Sequence, residues 1–344
     1  MIAKQQEFYD KNRQTLHEIV PLDMPLTVAI EASSACDLRC KFCALSSETA
    51  LKQRNHVKKN MADETFALVI DQLKKFPRKI KRIGFAGLGE PLMNSHLPDM
   101  IKVIKQDGIA FGVSLFTNAV NLTPKTSLAL IDAGLDIVTI AVNGLSADDY
   151  ERNCGRRIDF DEYVKQIAFL YEHKSNLRIN LKTVDLCVNN ETDKQYFFDT
   201  FGDICDYINI ETIAPLHKGL DYSVGNIKNT HNVSKFPSIK KTKRVCVLPF
   251  RKMFISSLGK INFCDAINGF PYEELDIYKQ CLTDIWNGAT HTQLLLNQLR
   301  EINEGPSAIC ENCIGKHNCS FEADDLDPYA EELYKRIMNA QGKI

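Results

Sequence analysis

Six apolar, β-rich runs alternate with helix-patterned segments between residues 26 and 212, and this rhythm leaves few folds open. The runs are LTVAIEAS (26–33), IKRIGFAG (80–87), FGVSLFT (111–117), DIVTIAV (136–142), LRINLKTV (177–184) and DYINIET (206–212). Between them lie DETFALVIDQLKKF, LPDMIKVIKQDG, PKTSLALIDAG, FDEYVKQIAFLYEHK and KQYFFDTFGDIC. Several of these open at Asp, Thr or Pro and several close at Gly, the residues that start and stop helices. A crossover helix returns the chain so that the next strand runs parallel to the last. The expectation is an α/β fold on a parallel sheet. Six units build either an open, partial barrel or a doubly wound sheet, and periodicity does not separate the two.

The flanks carry a different pattern. An N-terminal extension (1–23) contains KQQEFYDKNRQTLHE (4–18), which reads as a polar helix. The repeating unit occupies 24–214. Residues 215–245 are polar, with basic runs such as KKTKR (240–244), and read as a linker. A compact module follows over 246–322. It opens with a hairpin-like MFISSLGKINFC turning near Gly259 and continues into a helix around LTDIWNGATHTQLLLNQLREINEG. The last segment, 323–344, is a charged helix opening at Asp327–Pro328. The formal net charge is −2, which gives no electrostatic footprint for nucleic acid or an anionic membrane. No apolar run approaches the roughly 18 residues of a membrane span. The first residues lack the apolar core of a signal peptide, so a cytoplasmic location is expected.

Twelve cysteines are many for such a chain. Without an export signal, metal ligation is the better reading than disulfides. Cys36, Cys40 and Cys43 follow the first strand directly, at the face where βα folds carry their active sites. Structural zinc wants four ligands and usually C-x2-C pairs, which an x3-then-x2 triplet fits poorly. Three thiolates on a cubane iron–sulfur cluster leave one iron open. A second set lies in the C-terminal module: Cys246, Cys264, Cys310, Cys313 and Cys319. There the C-x2-C pair at 310 and 313 keeps zinc open as an alternative to a closed iron–sulfur cluster.

The triplet, with Phe42 before its last cysteine, resembles the CxxxCxΦC signature of the radical S-adenosylmethionine (SAM) enzymes. That resemblance spans about residues 24–214 and implies a partial (β/α)6 TIM-like barrel. It implies a [4Fe-4S] cluster held by Cys36, Cys40 and Cys43, whose open iron binds SAM. Later strand ends agree. FAGLGEPLMN resembles the family's GGEP motif, with Leu88 between the glycines, and makes Gly87, Gly89 and Glu90 candidate SAM contacts. LFTNA stands where relatives often have TNG and adds Thr117 and Asn118. VTIAVNGLSADDYERNCG resembles a common segment that carries Asp where this chain has Asn143. Asn143, Ser146 and Arg152 are further candidates there, with helix capping and solvation as the plain alternative for Ser146 and Arg152.

The C-terminal module resembles the SPASM and twitch extensions of the same enzymes. A full SPASM module has a cysteine four positions after Cys319, where this chain has Ala323. The resemblance therefore implies one auxiliary [4Fe-4S] cluster held by Cys246, Cys264, Cys310 and Cys313, with Cys281 and Cys319 free or structural. Asp265 stands where related alcohol-oxidising enzymes place a general base. Trp286, the single tryptophan, is read as core. The expected function is radical SAM oxidoreduction of a small molecule. Dehydrogenation of a sugar or cyclitol alcohol is favoured, with the auxiliary cluster as electron acceptor. Alternatives are a sugar epimerase using Cys154 as hydrogen donor, a peptide-modifying enzyme, and a non-catalytic electron-transfer protein. A flavodoxin- or ferredoxin-type reductant is the implied electron donor.

Overall fold

The computed structural model describes residues 4–5, 14–53, 55–213, 220, 243–264, 274–311, 313, 315–318, 322–340 and 342. Nine strands form one sheet: β1 (Lys4–Gln5), β2 (Thr27–Ile30), β3 (Arg82–Phe85), β4 (Val113–Thr117), β5 (Ile137–Ala141), β6 (Arg178–Val184), β7 (Tyr207–Glu211), β8 (Lys252–Ile255) and β9 (Ile261–Asn262). Their order is β1-β7-β6-β5-β4-β3-β2-β8-β9, and every pair is parallel except β8–β9. All six expected strands are present as β2 to β7, in sequence order.

The helices of the first part are α1 (Leu16–Ile19), α2 (Glu48–Gln53), α3 (Asp63–Leu73), α4 (Leu97–Gln106), α5 (Pro124–Asp132), α6 (Ala147–Cys154), α7 (Phe160–His173) and α8 (Glu191–Phe201). The C-terminal part adds α9 (Leu248–Arg251), α10 (Leu282–Asn287), α11 (Ala289–Arg300), α12 (Gly315–Asn318) and α13 (Ala330–Ala340). No helix among the described residues is long and apolar enough to cross a membrane.

Register explains how the sheet divides its two faces. Val28 pairs with Ile83, Leu115 with Val138, and Leu181 with Ile208. This face packs against Phe66, Val69, Ile101 and Ile167 of the helices. Each such side chain contributes about 1.5–3 kcal/mol by leaving water, and together they fix the register. The opposite face carries Gly84 beside Ser114, then Phe116, Thr139 and Asn180 in a row. Arg82 of β3 and Arg178 of β6 lie three strands apart on this polar face. Burial depresses the Arg82 pKa, and the Arg178 charge depresses it further. The strand order is nevertheless linear, with β1 and β9 as its two ends, and the sheet stays open.

Three expectations are revised by the structure. The helix read over 4–18 is absent at its start, because Lys4–Gln5 pair parallel with Tyr207 and Ile208 of β7. Only α1 remains helical among the described residues of that stretch. The helix expected around 282–305 is two helices, α10 and α11, broken at the extended Gly288. Cys154, expected on the loop after the fourth strand, ends α6, a helix too short and polar to leave a periodic signal.

The segments also pack against one another. Strand β8 of the 246–322 module pairs in register with β2, Thr27 opposite Lys252 and Ile30 opposite Ile255. Leu16, Val20, Phe250, Leu299, Leu333 and Ile337 share one core cluster, so the two chain-end segments pack with the module between them. The 215–245 linker lies mostly outside the described residues, and Val245 at its end belongs to that second core. Gly259 takes φ +79° at the hairpin turn, where a side chain would strike Ile277. Trp286 is buried, and its indole N–H donates to the Leu22 carbonyl at 2.9 Å.

Candidate functional site

The loop leaving β2 is tied down at both ends before it reaches the cysteines. Ser34 Oγ bonds the carbonyls of Val57 and Lys59 at 2.6 and 2.9 Å. The residue after it meets the GLGEP turn: the Glu90 N–H donates to the Ala35 carbonyl at 2.7 Å. Cys43 N–H donates to the Cys40 carbonyl and Ser46 N–H to that of Cys43, so the last cysteines sit on a tight turn. Cys36, Cys40 and Cys43 are all partly buried thiols, none in a disulfide. Phe42 between them is half-buried. Burial, more than any neighbour, pushes the Cys36 thiol up to about 12. A thiol held neutral this way must release its proton when iron binds. Leu38 N–H and the Asn118 amide approach the Cys36 sulfur at 3.4 and 3.8 Å.

Glycine is required after β3 because two segments nearly touch. A Cβ on Gly89 would lie 2.2 Å from the Ser33 carbonyl oxygen and 2.6 Å from that of Ala35. One on Gly87 would lie 2.7 Å from Glu31 Cγ. The bare side of Gly89 therefore faces the backbone of the cysteine loop, and that of Gly87 faces the Glu31 side chain. Glu90 is buried, and desolvation raises its pKa to about 7. Its carboxylate accepts from Thr117 Oγ1 at 2.6 Å, Leu92 N–H at 2.9 Å and Asn118 N–H at 2.7 Å. A carboxylate has about four acceptor positions, so roughly one is left for a ligand. Asn118 Nδ2 reaches Asp37 Oδ1 at 2.9 Å, and Arg156 closes on the other oxygen of Asp37 at 2.6 Å.

Ala119 completes the TNA segment, buried, with φ +57°. That conformation is strained for any residue with a Cβ. Ala119→Gly is expected to raise stability by about 0.5–1 kcal/mol, the helical-handedness strain relieved less the extra entropy of glycine. A urea midpoint that moves down instead would contradict this.

The remaining candidates fall into two groups. The main chain of Asn143 is a hub: its N–H donates to the Tyr150 hydroxyl, while its carbonyl receives Asn153 Nδ2 at 3.1 Å and the Cys187 thiol at 3.2 Å. Cys154 is fully buried, its thiol 3.9 Å from the same carbonyl. Ser146 caps α6, its hydroxyl accepting from Asp149 N–H at 3.1 Å. Arg152 pairs with Asp149 on the exposed side of α6. The structure thus gives Ser146 and Arg152 capping and surface-pairing partners and brings neither to the cysteine loop.

In the C-terminal module Cys246, Cys264, Cys310 and Cys313 are all half-buried. Burial, then the nearby Cys264 and Cys313 thiols, push Cys310 up to about 12. Cys313 N–H donates to the Cys310 carbonyl, and Gly315 N–H approaches the Cys313 sulfur at 3.4 Å. Asp265 and Cys319 lie outside the described residues. Among the described residues no trio of His, Cys, Asp or Glu closes around a single metal-ion position. A four-iron cluster, whose thiolates sit on different irons, needs none, and both thiol sets are chemically suited to it.

Three features escaped the reading of the sequence. Glu31, at the end of β2, is buried with its pKa raised by desolvation. It accepts from Leu88 N–H at 3.1 Å and from Ser257 N–H and Oγ at 3.2 Å, joining β2, the GLGEP turn and the β8–β9 hairpin. Asp37 inside the cysteine triplet is the second. The third is on the polar face of the sheet, where Lys182 of β6 pairs with Glu211 of β7 at 3.0 Å. Beside that pair, Asn180 Nδ2 reaches Thr139 Oγ1 at 3.4 Å, and Phe116 is 43% exposed despite its central strand. Alternation of polar residues with Ile179 and Leu181 was the available signal.

The profile of the radical SAM superfamily matches residues 30–197, and that of an iron–sulfur cluster-binding domain, SPASM, matches 246–314. Over 254 residues the chain is 35% identical to a probable GTP 3′,8-cyclase of Methanococcus maripaludis, covering 72% of this chain and 81% of the relative. Over 117 residues it is 32% identical to the tungsten-containing aldehyde ferredoxin oxidoreductase cofactor-modifying protein of Pyrococcus furiosus. That match covers 34% of this chain and 30% of the relative, under a third of its length. Two solved structures share the fold at 17% identity. Streptococcus suis SuiB bound to precursor peptide SuiA has a TM-score of 0.59, with 88% of this chain and 72% of SuiB covered. BtrN in complex with AdoMet and 2-DOIA has a TM-score of 0.52, with 84% and 93% covered.

Proposed function

From its membership of the radical SAM superfamily, to which this chain belongs, we propose that it oxidises an alcohol carbon of a small, uncharged polyol such as a sugar or cyclitol. When bound, the cluster and SAM supply the radical that removes hydrogen from an unactivated carbon. Cys36, Cys40 and Cys43 hold that cluster, and Cys246, Cys264, Cys310 and Cys313 hold one auxiliary cluster. Glu90 offers its remaining acceptor position beside the first cluster, and Asn118 and Asp37 orient the loop that carries Cys36. Asp265, directly after Cys264, is the proposed base that takes the hydroxyl proton.

The observation that carries the substrate class is the polar face near the strand C-termini. Lys182 and Glu211 cancel each other's charge, Asn180 and Thr139 offer neutral hydrogen-bonding groups, and Phe116 presents an aromatic surface. Such a floor suits hydroxyls above an apolar ring face better than a polyphosphate, which calls for net positive charge. BtrN, with 2-DOIA bound, shares the fold at low identity. Cys154 is fully buried, which supports oxidation over epimerisation, since a hydrogen donor must reach the substrate.

The sequence relation to GTP 3′,8-cyclases favours a second reading, chemistry on a nucleotide. Deuterium labelling separates the two. Reconstituted protein incubated with SAM, dithionite and C–H-deuterated cyclitols or sugars should pass label into 5′-deoxyadenosine. Label passed only from deuterated GTP would establish the second reading, and label from a peptide would overturn both.

A further inference from the structure

The chain that leaves the cysteine triplet has no part in the reading above. Residues 41–60 carry Lys41, Lys52, Arg54, Lys58 and Lys59 against the single acid Glu48, in a protein whose net charge is −2. Tight turns keep this stretch close to the triplet. Ser46 N–H donates to the Cys43 carbonyl, Leu51 N–H to that of Ser47 and His56 N–H to that of Leu51. The chain then returns to the entry of the cysteine loop. Ser34 N–H donates to the Lys59 carbonyl at 3.0 Å, and Asn60 bridges antiparallel to Ser33. Lys41 itself stands between Cys40 and Phe42. Lys41, Lys52, Lys58 and Lys59 are all exposed, and none forms an ion pair among the described residues. An apolar centre lies beside Lys58 and Lys59. Val57 is 53% and Met93 37% exposed, and the Asn60 amide joins their two segments by donating to the Met93 carbonyl at 3.1 Å.

We propose that this face docks an acidic one-electron carrier protein of the ferredoxin type and so places the electron donor against the cluster at Cys36, Cys40 and Cys43. Unpaired lysines steer an acidic partner and orient it, which raises the rate of encounter more than the lifetime of the complex. The two exposed apolar side chains give it a small contact to rest on, as the interfaces of redox partners are small. One electron passes: the carrier is oxidised by one, the cluster is reduced by one, and no proton or group moves. Position favours the first cluster over the auxiliary one. The Lys59 backbone is bonded to Ser34, two residues before Cys36, whereas the auxiliary thiols lie on the C-terminal module.

The inference rests on the triplet holding the SAM-binding cluster. That reading fails separately, if wild-type protein cleaves no SAM when reduced methyl viologen supplies the electron. The test uses the reconstituted protein, a purified acidic ferredoxin as probe, and the variant Lys52→Glu/Lys58→Glu/Lys59→Glu, which reverses three charges and leaves every backbone bond above in place. Calorimetric titration at low salt should show ferredoxin affinity about tenfold weaker, or more, in the variant. Added salt should weaken wild-type binding and leave the residual binding of the variant nearly flat. SAM cleavage driven by limiting reduced ferredoxin should fall by a similar factor, while cleavage driven by methyl viologen, a small cation, should not. Val57→Ser should weaken binding without altering its salt dependence. No measurable wild-type binding, wild-type affinity in the triple variant, wild-type binding that ignores salt, or an equal loss with both donors would each overturn the proposal. Should the triple variant be destabilised, Lys58→Gln/Lys59→Gln removes two charges without adding acids and decides through the same titration. An intermediate loss of affinity supports the proposal and an unchanged affinity overturns it.

Discussion

Replacing Cys36, Cys40 and Cys43 together by alanine should lower the iron content of the reconstituted protein from about eight to about four atoms per chain, and abolish SAM cleavage. The two thiol sets are held by different elements. The first lies on the loop after β2, fixed by Ser34 and by Glu90 N–H on Ala35. The second is gathered around Cys310 in the C-terminal module. Alanine at the first set removes every thiolate donor there and leaves the second untouched. The same variant retains the backbone–backbone bonds of the loop and loses only the contacts of Leu38 N–H and the Asn118 amide with the Cys36 sulfur. Iron should fall by half rather than to zero, and the remaining cluster should be insensitive to SAM. A content that stays near eight would remove the triplet from the cluster assignment. A fall to zero would mean that the two sets depend on one another.

The strands and the triplet were legible for the same reason: both are local. Six β-rich runs with crossover segments need no knowledge of distant contacts, and a CxxxCxΦC triplet names its chemistry within eight residues. What stayed hidden is what the sheet brings together. Glu31 meets Ser257 across 226 positions, and β8 joins β2 from beyond the whole repeating unit. Nothing near Lys252 announces a parallel partner at Thr27. Lys182 and Glu211 are single charges on neighbouring strands until register pairs those strands, after which they become a neutral, polar floor. The glycines of GLGEP were read as room for a ligand. The bare side of Gly89 meets the cysteine loop and that of Gly87 meets Glu31, a distinction only three dimensions can make.

That distinction yields the second large effect. Gly89→Ala should destabilise the protein by about 3 kcal/mol or more, the upper range for an added carbon in a packed site. A Cβ there would meet two backbone carbonyl oxygens, at 2.2 and 2.6 Å, neither of which can turn away as a side chain would. The Ala35 carbonyl is also the acceptor for Glu90 N–H, so any retreat breaks the bond joining the GLGEP turn to the cysteine loop. Cys36 is the next residue, and the displacement should reach it. The variant is expected to lose iron from the SAM-sensitive cluster as well as stability, seen as a lower urea midpoint and a smaller SAM-dependent spectral change. Gly87→Ala provides the control. Its Cβ would meet the Glu31 side chain, which can rotate at the cost of its bonds to Leu88 and Ser257. It should therefore cost less and spare the cluster. Equal losses in the two variants would mean that these glycines serve a bound ligand rather than the approach of the two loops.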